Sequence, residues 1–511
     1  MYTKSFWNQF ASAGAYPALN QNTEADVAIV GGGITGISTA VLLSKRGLKV
    51  VVLESKRVGG GTTSHSTGNL YFTVDKNLSQ FKGKYYEGVI RQIIASRSAA
   101  LDQIEKWIQE YKLDCDFKRV PWIFYSGISE NNSKIEDEFN IAREAGVPVD
   151  WADSSAMPAT FTKGVVVPGQ AQFNPVLYVE GLAKAAQSGN LQIYEITTVL
   201  KINEEKDHVV LETTGGTVTA RFAVHATHTP KGVKVYHTLL GPYREYGIAC
   251  RADARHFPEG IFWGYYEDGK KYSIRFYERE GQRHVLIIGE PHKVGQSDDN
   301  MMAVKNLETF AVRHLGLTDV AFRWGGQHYR PADLLPYIGR EGKNSNVFVA
   351  TGFSTDGLVY GTLAGMLIAD EITQAPNEWG EVYNAHRFTP LKSAKQFLKE
   401  NINVAGEFLK VLPGVKDTSE FNDIGYGSGA IVEKDSTKIA AYRDEAGKLT
   451  LVSAVCPHMK CIVNWNNAEK TWDCPCHGSR FKTDGTVLEG PVFHPLQKIS
   501  IEGDEVKKEG H

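Results

Sequence analysis

The first clear pattern along the chain is a pair of short apolar runs separated by a helical repeat. Val27–Val30 and Val50–Leu53 are each typical of a buried parallel strand, which is covered on both faces. Between them, apolar residues recur at helical spacing from Ile37 to Leu43, and Gly47 ends the helix. The pattern therefore predicts a strand–helix–strand unit of about thirty residues, the usual size of a βαβ unit.

The alternation of apolar runs and amphipathic stretches continues to about residue 372. The predicted elements are strands at 191–196, 209–213, 223–226 and 347–351, helices at 174–184, 302–315 and 357–372, and a β-rich region at 243–289. Residues 380–410 are amphipathic and helical, and after Pro413 the pattern changes to short strands and turns. We therefore place a domain boundary near residue 415 and expect a helical connector at 386–415.

The turn between the first strand and the first helix has the spacing Gly31-x-Gly33-x-x-Gly36. Gly31 permits a tight turn, Gly33 lets the backbone approach a pyrophosphate, and Gly36 lets the helix pack closely on the strand. Glu54 ends the second strand, where a carboxylate can bind ribose hydroxyls. A chance glycine-rich turn is the alternative. Because strand, helix, second strand and acid are all in place, the unit is predicted to bind a dinucleotide, with its pyrophosphate at the helix N-terminus.

Length and composition bound the number of domains and the kind of partner. A chain of 511 residues is too long for one hydrophobic core, so about two to four domains are expected. A net charge of −3 favours neither nucleic acid nor an anionic membrane as a partner. No run of eighteen apolar residues occurs, and residues 1–24 lack the basic start and apolar core of a secretory signal. We therefore expect a cytoplasmic protein without a transmembrane segment.

Four of the six cysteines lie between residues 456 and 476, together with two histidines. The two motifs are Cys456-Pro-His458-Met-Lys-Cys461 and Cys474-Pro-Cys476-His477. Clustered Cys and His in a cytosolic protein indicate a metal site before a disulfide framework. Structural zinc is the alternative, but zinc motifs favour C-x2-C or H-x3-H spacing. A C-x-H motif paired with C-x-x-H is typical of a Rieske 2Fe–2S site, in which two Cys hold one iron and two His hold the other.

The chain also resembles the D-amino-acid oxidase superfamily of flavoproteins, over roughly residues 5–375. The segments that carry the resemblance are residues 26–36, 60–63, 174–175, 333–339 and 350–358. The resemblance, rather than the glycine motif, implies FAD as the cofactor and places the flavin between an FAD-binding domain and an antiparallel β substrate domain. The flavin contacts that it implies are Gly31, Gly33, Gly36, Glu54, Thr62, Thr63, Val199, Gly352 and Gly357.

The expected architecture is an α/β FAD-binding Rossmann-like domain with an antiparallel β-sheet substrate domain, followed by a small all-β Rieske domain. The FAD-dependent oxidoreductase is expected at residues 1–385 and the Rieske domain at 416–511. Within the oxidoreductase, the FAD-binding parts are placed at about 20–75, 160–230 and 325–385, and the substrate domain at about 76–159 and 231–324.

Two features bear on flavin attachment and on the substrate. His65 and Gly68 resemble the H-x-x-G stretch of dimethylglycine and sarcosine dehydrogenases, where the histidine is covalently bound to FAD. The alternative is a histidine that only lines the flavin pocket. Asn69 and Val359 stand near where the sarcosine-oxidase branch has a carboxylate-binding Arg and a Lys. Both departures argue against a small amino-acid carboxylate held in the usual way.

Resemblance to Rieske proteins assigns roles to the cluster residues. The ligands that it implies are Cys456 and Cys474 on one iron, with His458 and His477 on the other. Cys461 and Cys476 are placed like the disulfide that bridges the two loops in the bc-complex type, and Gly490-Pro491 resembles the proline loop over the cluster. Ser479 can donate a hydrogen bond to a cluster sulfur. Phe481 stands where the high-potential branch has a Tyr, so a lower reduction potential is expected.

A flavin domain joined to a Rieske domain implies an FAD-dependent dehydrogenase that passes electrons singly through the cluster to an external acceptor. The electrons are expected to leave through the side of the cluster that carries His458 and His477, the histidine edge, which is expected to be exposed. An oxidase that uses oxygen directly needs no second carrier. Family analogy favours amines, oxidised at CH–NH or CH–NH2 groups. Tyr246 and Arg330 are the candidate catalytic residues, with packing or surface pairing as the alternative for each. Two other functions stay open: a flavin reductase fed through the cluster by an external donor, and a non-catalytic redox module.

Overall fold

The computed structural model describes residues 3–73, 77–153, 158, 160–252, 257–267, 269–387, 401–404, 406–407, 420–502 and 505–508. The strands before residue 388 are β1 (Thr23–Val30), β2 (Val50–Leu53), β3 (Asn69–Leu70), β4 (Lys118–Ser126), β5 (Asp150–Trp151), β6 (Lys163–Gln172), β7 (Leu191–Tyr194), β8 (Val199–Glu204), β9 (Val209–Thr213), β10 (Gly216–His225), β11 (Leu240–Arg251), β12 (Ile261–Tyr265), β13 (Lys271–Arg279), β14 (Gln282–Lys293), β15 (Val320–Pro331), β16 (Tyr337–Arg340) and β17 (Val347–Thr351). The helices are α1 (Ile34–Lys45), α2 (Glu87–Tyr111), α3 (Asn132–Glu144), α4 (Pro175–Ala186), α5 (Tyr236–Leu239), α6 (Asn300–Leu315), α7 (Gly357–Ile372) and α8 (Gly380–Tyr383).

The first sheet has the strand order β16-β17-β10-β1-β2-β7, with β9 and β8 attached beside β10. β1 is parallel to both β10 and β2, as the apolar runs predicted. Successive side chains of β1 enter different cores, because they point to opposite faces of the sheet. Val27 and Ile29 pack in the core that contains α1 and α7, whereas Ala28 and Val30 pack with apolar residues of β8 and β9. Burial on both faces explains the continuous apolar pattern.

The second sheet has nine strands, in the order β15-β11-β14-β13-β12-β4-β6-β3 with β5 beside β6. Its pairs are antiparallel except for β12 and β4. Strand β6 lies in a stretch that the sequence assigns to the FAD-binding part, yet it pairs with β4 in this sheet. The pairing buries Val165 and Val167 of β6 in the same core as Trp122 and Phe124 of β4. Helix α6 packs against β11 and β14.

The C-terminal domain is built from short antiparallel strands. They are β18 (Ser428–Lys434), β19 (Thr437–Arg443), β20 (Leu449–Ser453), β21 (Asn464–Asn466), β22 (Thr471–Asp473), β23 (Arg480–Phe481), β24 (Val487–Glu489), β25 (Ile499–Glu502) and β26 (Glu505–Lys508). They form sheets of three, four and two strands. Residues 401–404 and 406–407 of the predicted connector are helical, and most of its remainder lies outside the described residues. Within the described part of the chain, none of the helices combines the length and apolar character needed to cross a membrane.

Candidate functional site

A cavity of about 510 Å³ lies where β1, β2 and β10 end, and we call it the dinucleotide cavity. The predicted cofactor residues that line it are Gly31, Gly33, Glu54, Thr62, Thr63, His65, Val199 and Gly357. Gly36 and Gly352 are not among its lining residues. Gly36 instead faces the turn, where an added Cβ would collide with the carbonyl oxygen of Gly31. Gly352 packs beside Pro331 and Leu240 and has a φ of +79°, which favours glycine.

The turn at Gly31 leaves a cradle that suits a dinucleotide. Gly31 has a φ of +109°, and an added Cβ would lie 2.5 Å from the carbonyl oxygen of Ala226. Gly33, at the start of α1, has no side chain with which to cap the helix; the N–H of Ile34 donates instead to the Thr63 hydroxyl at 3.1 Å, and the N-terminus of α1 faces the cavity. The Glu54 carboxylate lies beside it and accepts hydrogen bonds from the N–H groups of Gly32 (2.7 Å) and Lys56 (2.8 Å). Burial raises the pKa of Glu54. The residues present therefore fit the predicted cofactor.

His65 lies in a 3-10 helix (Thr62–His65) on one wall of the dinucleotide cavity. Its Nδ1 atom is 3.0 Å from the carbonyl oxygen of Gly61. Because a carbonyl only accepts hydrogen bonds, Nδ1 carries the proton and Nε2 keeps its lone pair. Burial lowers the pKa of His65, which favours the neutral imidazole.

The two candidate catalytic residues have different surroundings. Tyr246 lines the dinucleotide cavity, but its hydroxyl lies 3.1 Å from the side-chain amide nitrogen of Asn466 in the C-terminal domain. Arg330 lines a separate polar cavity of about 540 Å³ and is not among the residues of the dinucleotide cavity. Its guanidinium lies 3.7 Å from the Glu245 carboxylate and 3.9 Å from the centre of the Tyr243 ring. Glu245 lines both cavities, so the two cavities adjoin there.

The four predicted iron ligands lie in two loops, residues 456–461 and 474–479, which we call the cluster loops. Cys456 and Cys474 are buried free thiols, and a hydrogen bond between them lowers the pKa of Cys456 and raises that of Cys474. The Nδ1 atoms of His458 and His477 are buried and have no hydrogen-bond partner among the described residues. Two adjacent thiols and two unpartnered imidazole nitrogens fit the ligand set of a 2Fe–2S cluster of the Rieske type.

Cys461 and Cys476 form a disulfide that joins the two cluster loops. Their sulfurs lie within 4.8 Å of that of Cys474, but disulfide sulfurs are not thiolates and do not hold iron as Cys456 and Cys474 can. The Ser479 hydroxyl is fully buried and hydrogen-bonds the Cys456 sulfur, which helps to lower the pKa of that thiol. It is therefore placed to donate to a sulfur of the cluster.

The histidine edge of the cluster site faces the flavin domain, which corrects the expectation that this edge is exposed. His458 Nε2 donates to the carbonyl oxygen of Gly232 at 3.2 Å, and His477 is only 3% exposed. The ring of His237 lies 4.7 Å from that of His458 and 5.8 Å from that of His477. Both contacts come from residues 226–237, the bridging segment, which also lines the dinucleotide cavity at Ala226, Thr227, His228 and Lys231.

Gln327 connects the dinucleotide cavity to the second cluster loop. Its side chain lines the cavity, and its Nε2 atom donates to the carbonyl oxygen of Gly478 at 2.8 Å. Gly478 has a φ of +73°, and an added Cβ would lie 2.8 Å from both Gln327 Nε2 and Pro242. A glycine is therefore required for this close approach. The two sites are thus separated by the side chain of one residue.

Buried ion pairs hold the C-terminal domain against β11. The Arg244 guanidinium donates to both carboxylate oxygens of Glu469, and the two side chains are 2% and 9% exposed. Arg480 lies 3.1 Å from Glu469 and 2.8 Å from Glu489. Although burial opposes it, the charges of Arg244 and Arg480 lower the pKa of Glu469 to about 2. The network is charge-paired and largely buried, and it joins the C-terminal domain to β11.

Comparison with known proteins identifies a family for each of the two parts of the chain. The family model of FAD dependent oxidoreductases named DAO matches residues 26–371. The chain belongs to this family. A second model, the Rieske [2Fe-2S] domain, matches residues 416–500. The chain is therefore an FAD-dependent oxidoreductase with a C-terminal Rieske domain, and its cofactors are FAD and a 2Fe–2S cluster.

Some relatives of this DAO-family enzyme match almost the whole chain, and others match about 70% of it. The Rieske 2Fe-2S iron-sulfur protein YhfW of Bacillus subtilis is 30% identical over 98% of each chain. The gamma-glutamylputrescine oxidoreductase of Escherichia coli is 24% identical over 72% of this chain and 88% of its own. In fold, the crystal structure of glycine oxidase from Geobacillus kaustophilus covers 72% of this chain and all of its own, with a TM-score of 0.58 and 21% identity.

Sequence reasoning did not identify the residues that join the two domains. Gln327, Lys231, Gly232 and His237 belong to no motif, and each acts through a backbone carbonyl or a ring far away in the sequence. Only the position of the bridging segment in the sequence indicated that it lies near the cofactor site. It follows β10, and residues after the carboxyl ends of parallel strands usually face the ligand.

The ion-pair network predicts a loss of stability in acid. A carboxyl whose pKa falls from 4.5 to about 2 on folding contributes about 3 kcal/mol above pH 4.5, which is lost as the pH falls from about 4.5 to about 2. We expect the difference in melting temperature between the protein and Glu469→Gln to shrink between pH 5 and pH 3. A difference that stays constant over this range would contradict the assignment.

Phe481 predicts the direction of a change in the cluster's reduction potential. The side chain is fully buried in the Rieske core and offers no hydroxyl to a cluster sulfur. Phe481→Tyr should therefore raise the reduction potential, because hydrogen bonds to the sulfurs stabilise the reduced cluster. A redox titration followed by EPR measures it. Phe421→Tyr, elsewhere in the same domain, should leave the potential unchanged, and equal values for all three proteins would refute the argument.

Proposed function

We propose that the chain is an FAD-dependent dehydrogenase that oxidises a small amine at a CH–NH or CH–NH2 group and passes the electrons singly through the Rieske cluster to an external acceptor. The observation that carries this proposal is the position of Gln327, which lines the dinucleotide cavity and hydrogen-bonds a cluster loop. When bound, FAD would supply a hydride acceptor and the 2Fe–2S cluster a one-electron carrier.

The residues between the two sites keep them close and exclude water. Gln327 and Tyr329 contact the backbone of Gly478 and His477, respectively. Tyr246 is proposed to shape the cavity wall and not to exchange a proton. Burial raises the pKa of its hydroxyl, which is also held by Asn466.

The polar cavity beside Glu245 is the proposed route of the substrate to the dinucleotide cavity. Its carboxylates are Glu245, Glu290 and Asp299, of which Glu290 already pairs with Lys270 at 2.8 Å; a carboxylate such as Glu245 suits a cationic amine. Arg330 is proposed to orient Glu245 through their ion pair and so to position the substrate. Similarity to the gamma-glutamylputrescine oxidoreductase of Escherichia coli supports an amine over other classes of substrate. Asn69 donates to Ser273 (3.5 Å) and Val359 is buried, so neither offers a cation to a substrate carboxylate.

The external acceptor is proposed to approach the first cluster loop. Both imidazole rings face His237, but Met459, next to His458, is 39% exposed. An acceptor at this loop would lie one residue from an iron ligand without displacing the flavin domain.

Anaerobic mixing with a panel of secondary amines and polyamines tests the proposed function. We expect at least one amine to bleach the flavin absorbance and then to reduce the cluster, as seen by EPR. If no substrate bleaches the flavin while a reduced ferredoxin reduces the cluster and then the flavin, the flow of electrons is reversed and the proposal is wrong. Glu245→Gln should raise KM for the active amine more than Glu278→Gln, which replaces a carboxylate on β13 outside both cavities.

We further propose that His65 Nε2 is the atom available for covalent attachment, since Nδ1 is engaged by Gly61. Precipitation with acid tests this attachment. A yellow pellet that becomes colourless in His65→Ala would support it, and a yellow supernatant from the unaltered protein would exclude it.

A further inference from the structure

The Rieske domain also borders the dinucleotide cavity directly. Residues 486–493, which we call the covering segment, consist of the end of the β23–β24 hairpin, β24 and the following turn. All of them except Pro491 line the cavity, together with Lys482. We infer that the Rieske domain is a structural wall of the FAD site and retains the cofactor, in addition to its part in electron transfer.

Two lysines of the flavin domain tie the covering segment to the cavity. Lys56 Nζ donates to the carbonyl oxygen of Leu488 (3.1 Å), and Lys231 Nζ donates to those of Gly490 (2.7 Å) and Val492 (3.1 Å). Both lysines line the dinucleotide cavity themselves. The same two side chains therefore line the dinucleotide cavity and bind the covering segment. Binding of a ligand in the cavity is thus expected to affect the position of the covering segment.

The bridging segment adds a backbone contact to this wall. Gly232 N–H donates to the carbonyl oxygen of Pro491 at 2.8 Å. An added Cβ at Gly232 would lie 3.4 Å from the Phe493 ring, so the ring packs directly on this backbone. Phe493 thus closes the wall between the bridging segment and the cavity.

The charges of the wall are compatible with a dinucleotide, which carries two phosphate charges. Glu489 lines the cavity, but Arg480 at 2.8 Å and Arg244 at 3.4 Å neutralise it. Lys482 lines the same wall and offers a cation. The wall therefore adds no unpaired negative charge to the cavity.

FAD binding and domain docking should therefore stabilise each other, because a ligand stabilises the state that binds it better. Hydrogen exchange tests this in the full chain, prepared with and without FAD from a riboflavin auxotroph, so the comparison is valid for covalent or free FAD. We expect FAD to slow exchange in the covering segment at least about tenfold, and to leave β19, on another sheet of the same domain, unchanged. Equal exchange of the covering segment with and without FAD would overturn the inference.

A matched pair of substitutions gives a second test. Phe493→Ala removes a ring that lines the cavity, whereas His494→Ala removes an exposed neighbour that does not. With His65→Ala in both proteins, so that FAD cannot become attached at that residue, titration of FAD into the apoprotein should give a Kd at least about tenfold higher for Phe493→Ala than for His494→Ala. The EPR spectrum of the cluster should be the same in both, which confirms that the domain is folded. Equal Kd values with intact EPR spectra would show that the wall does not hold FAD.

Discussion

Replacing Arg244 by methionine should weaken docking of the Rieske domain by about 3 kcal/mol, since removing one partner of a buried ion pair costs about 3–5 kcal/mol. We expect the lower end of this energy range because Arg480, at 3.1 Å, would still pair with Glu469. A loss of this size makes the undocked state about a hundredfold more populated. Faster hydrogen exchange at the domain interface measures it, together with a lower melting temperature.

Arg251→Met is the matched control for this substitution. Arg251 lies on the same strand, β11, and pairs with Asp319 at 3.1 Å, but both side chains are more than half exposed. Exposed pairs contribute about 0–1 kcal/mol, so the control should exchange like the unaltered protein. Equal effects of the two substitutions would mean that the buried network does not hold the domains together.

Replacing Cys474 by alanine should abolish the 2Fe–2S cluster. Cys474 is one of two buried free thiols in the cluster loops, and an iron that loses a thiolate ligand has no replacement in this buried site. We expect loss of the EPR signal and of both irons by metal analysis, with FAD still bound. Electrons delivered to the flavin should then remain there.

Cys250→Ala separates this effect from simple loss of a buried thiol. Cys250 is also a buried free cysteine, but it packs in the apolar core beneath α6. The variant should keep two irons for each chain. Retention of the cluster by Cys474→Ala, or its loss from Cys250→Ala, would refute the ligand assignment.

The elements that the sequence predicts well are those whose cause is local. The apolar runs at Val27–Val30 and Val50–Leu53 form β1 and β2, because a strand buried on both faces needs an unbroken apolar pattern. The metal-binding character of the cluster loops could also be predicted from the sequence, because each loop has a Cys and a His within four residues of one another. The need for glycine at position 36 is also local, because an added Cβ would collide with the carbonyl oxygen of Gly31.

The arrangement of the domains was not predictable from these patterns. The contact between Arg244 and Glu469 joins residues that are 225 positions apart, and nothing local to either residue requires it. The surroundings of Arg330 were likewise not predictable. It lies three positions after Gln327 on β15, and because side chains alternate along a strand, the two point to opposite faces. Gln327 therefore reaches the cluster loop, whereas Arg330 faces the polar cavity.

We propose that FAD and the Rieske cluster exchange electrons within one docked chain. Laser-flash reduction of the flavin under anaerobic conditions, with the cluster followed by its visible absorbance, tests it most directly. We predict first-order transfer to the cluster at a rate independent of protein concentration, and a smaller amplitude of this phase in Arg244→Met than in Arg251→Met. A rate that rises in proportion to protein concentration, or a flavin that stays reduced beside an oxidised cluster, would show that electrons do not pass between the two cofactors of one chain.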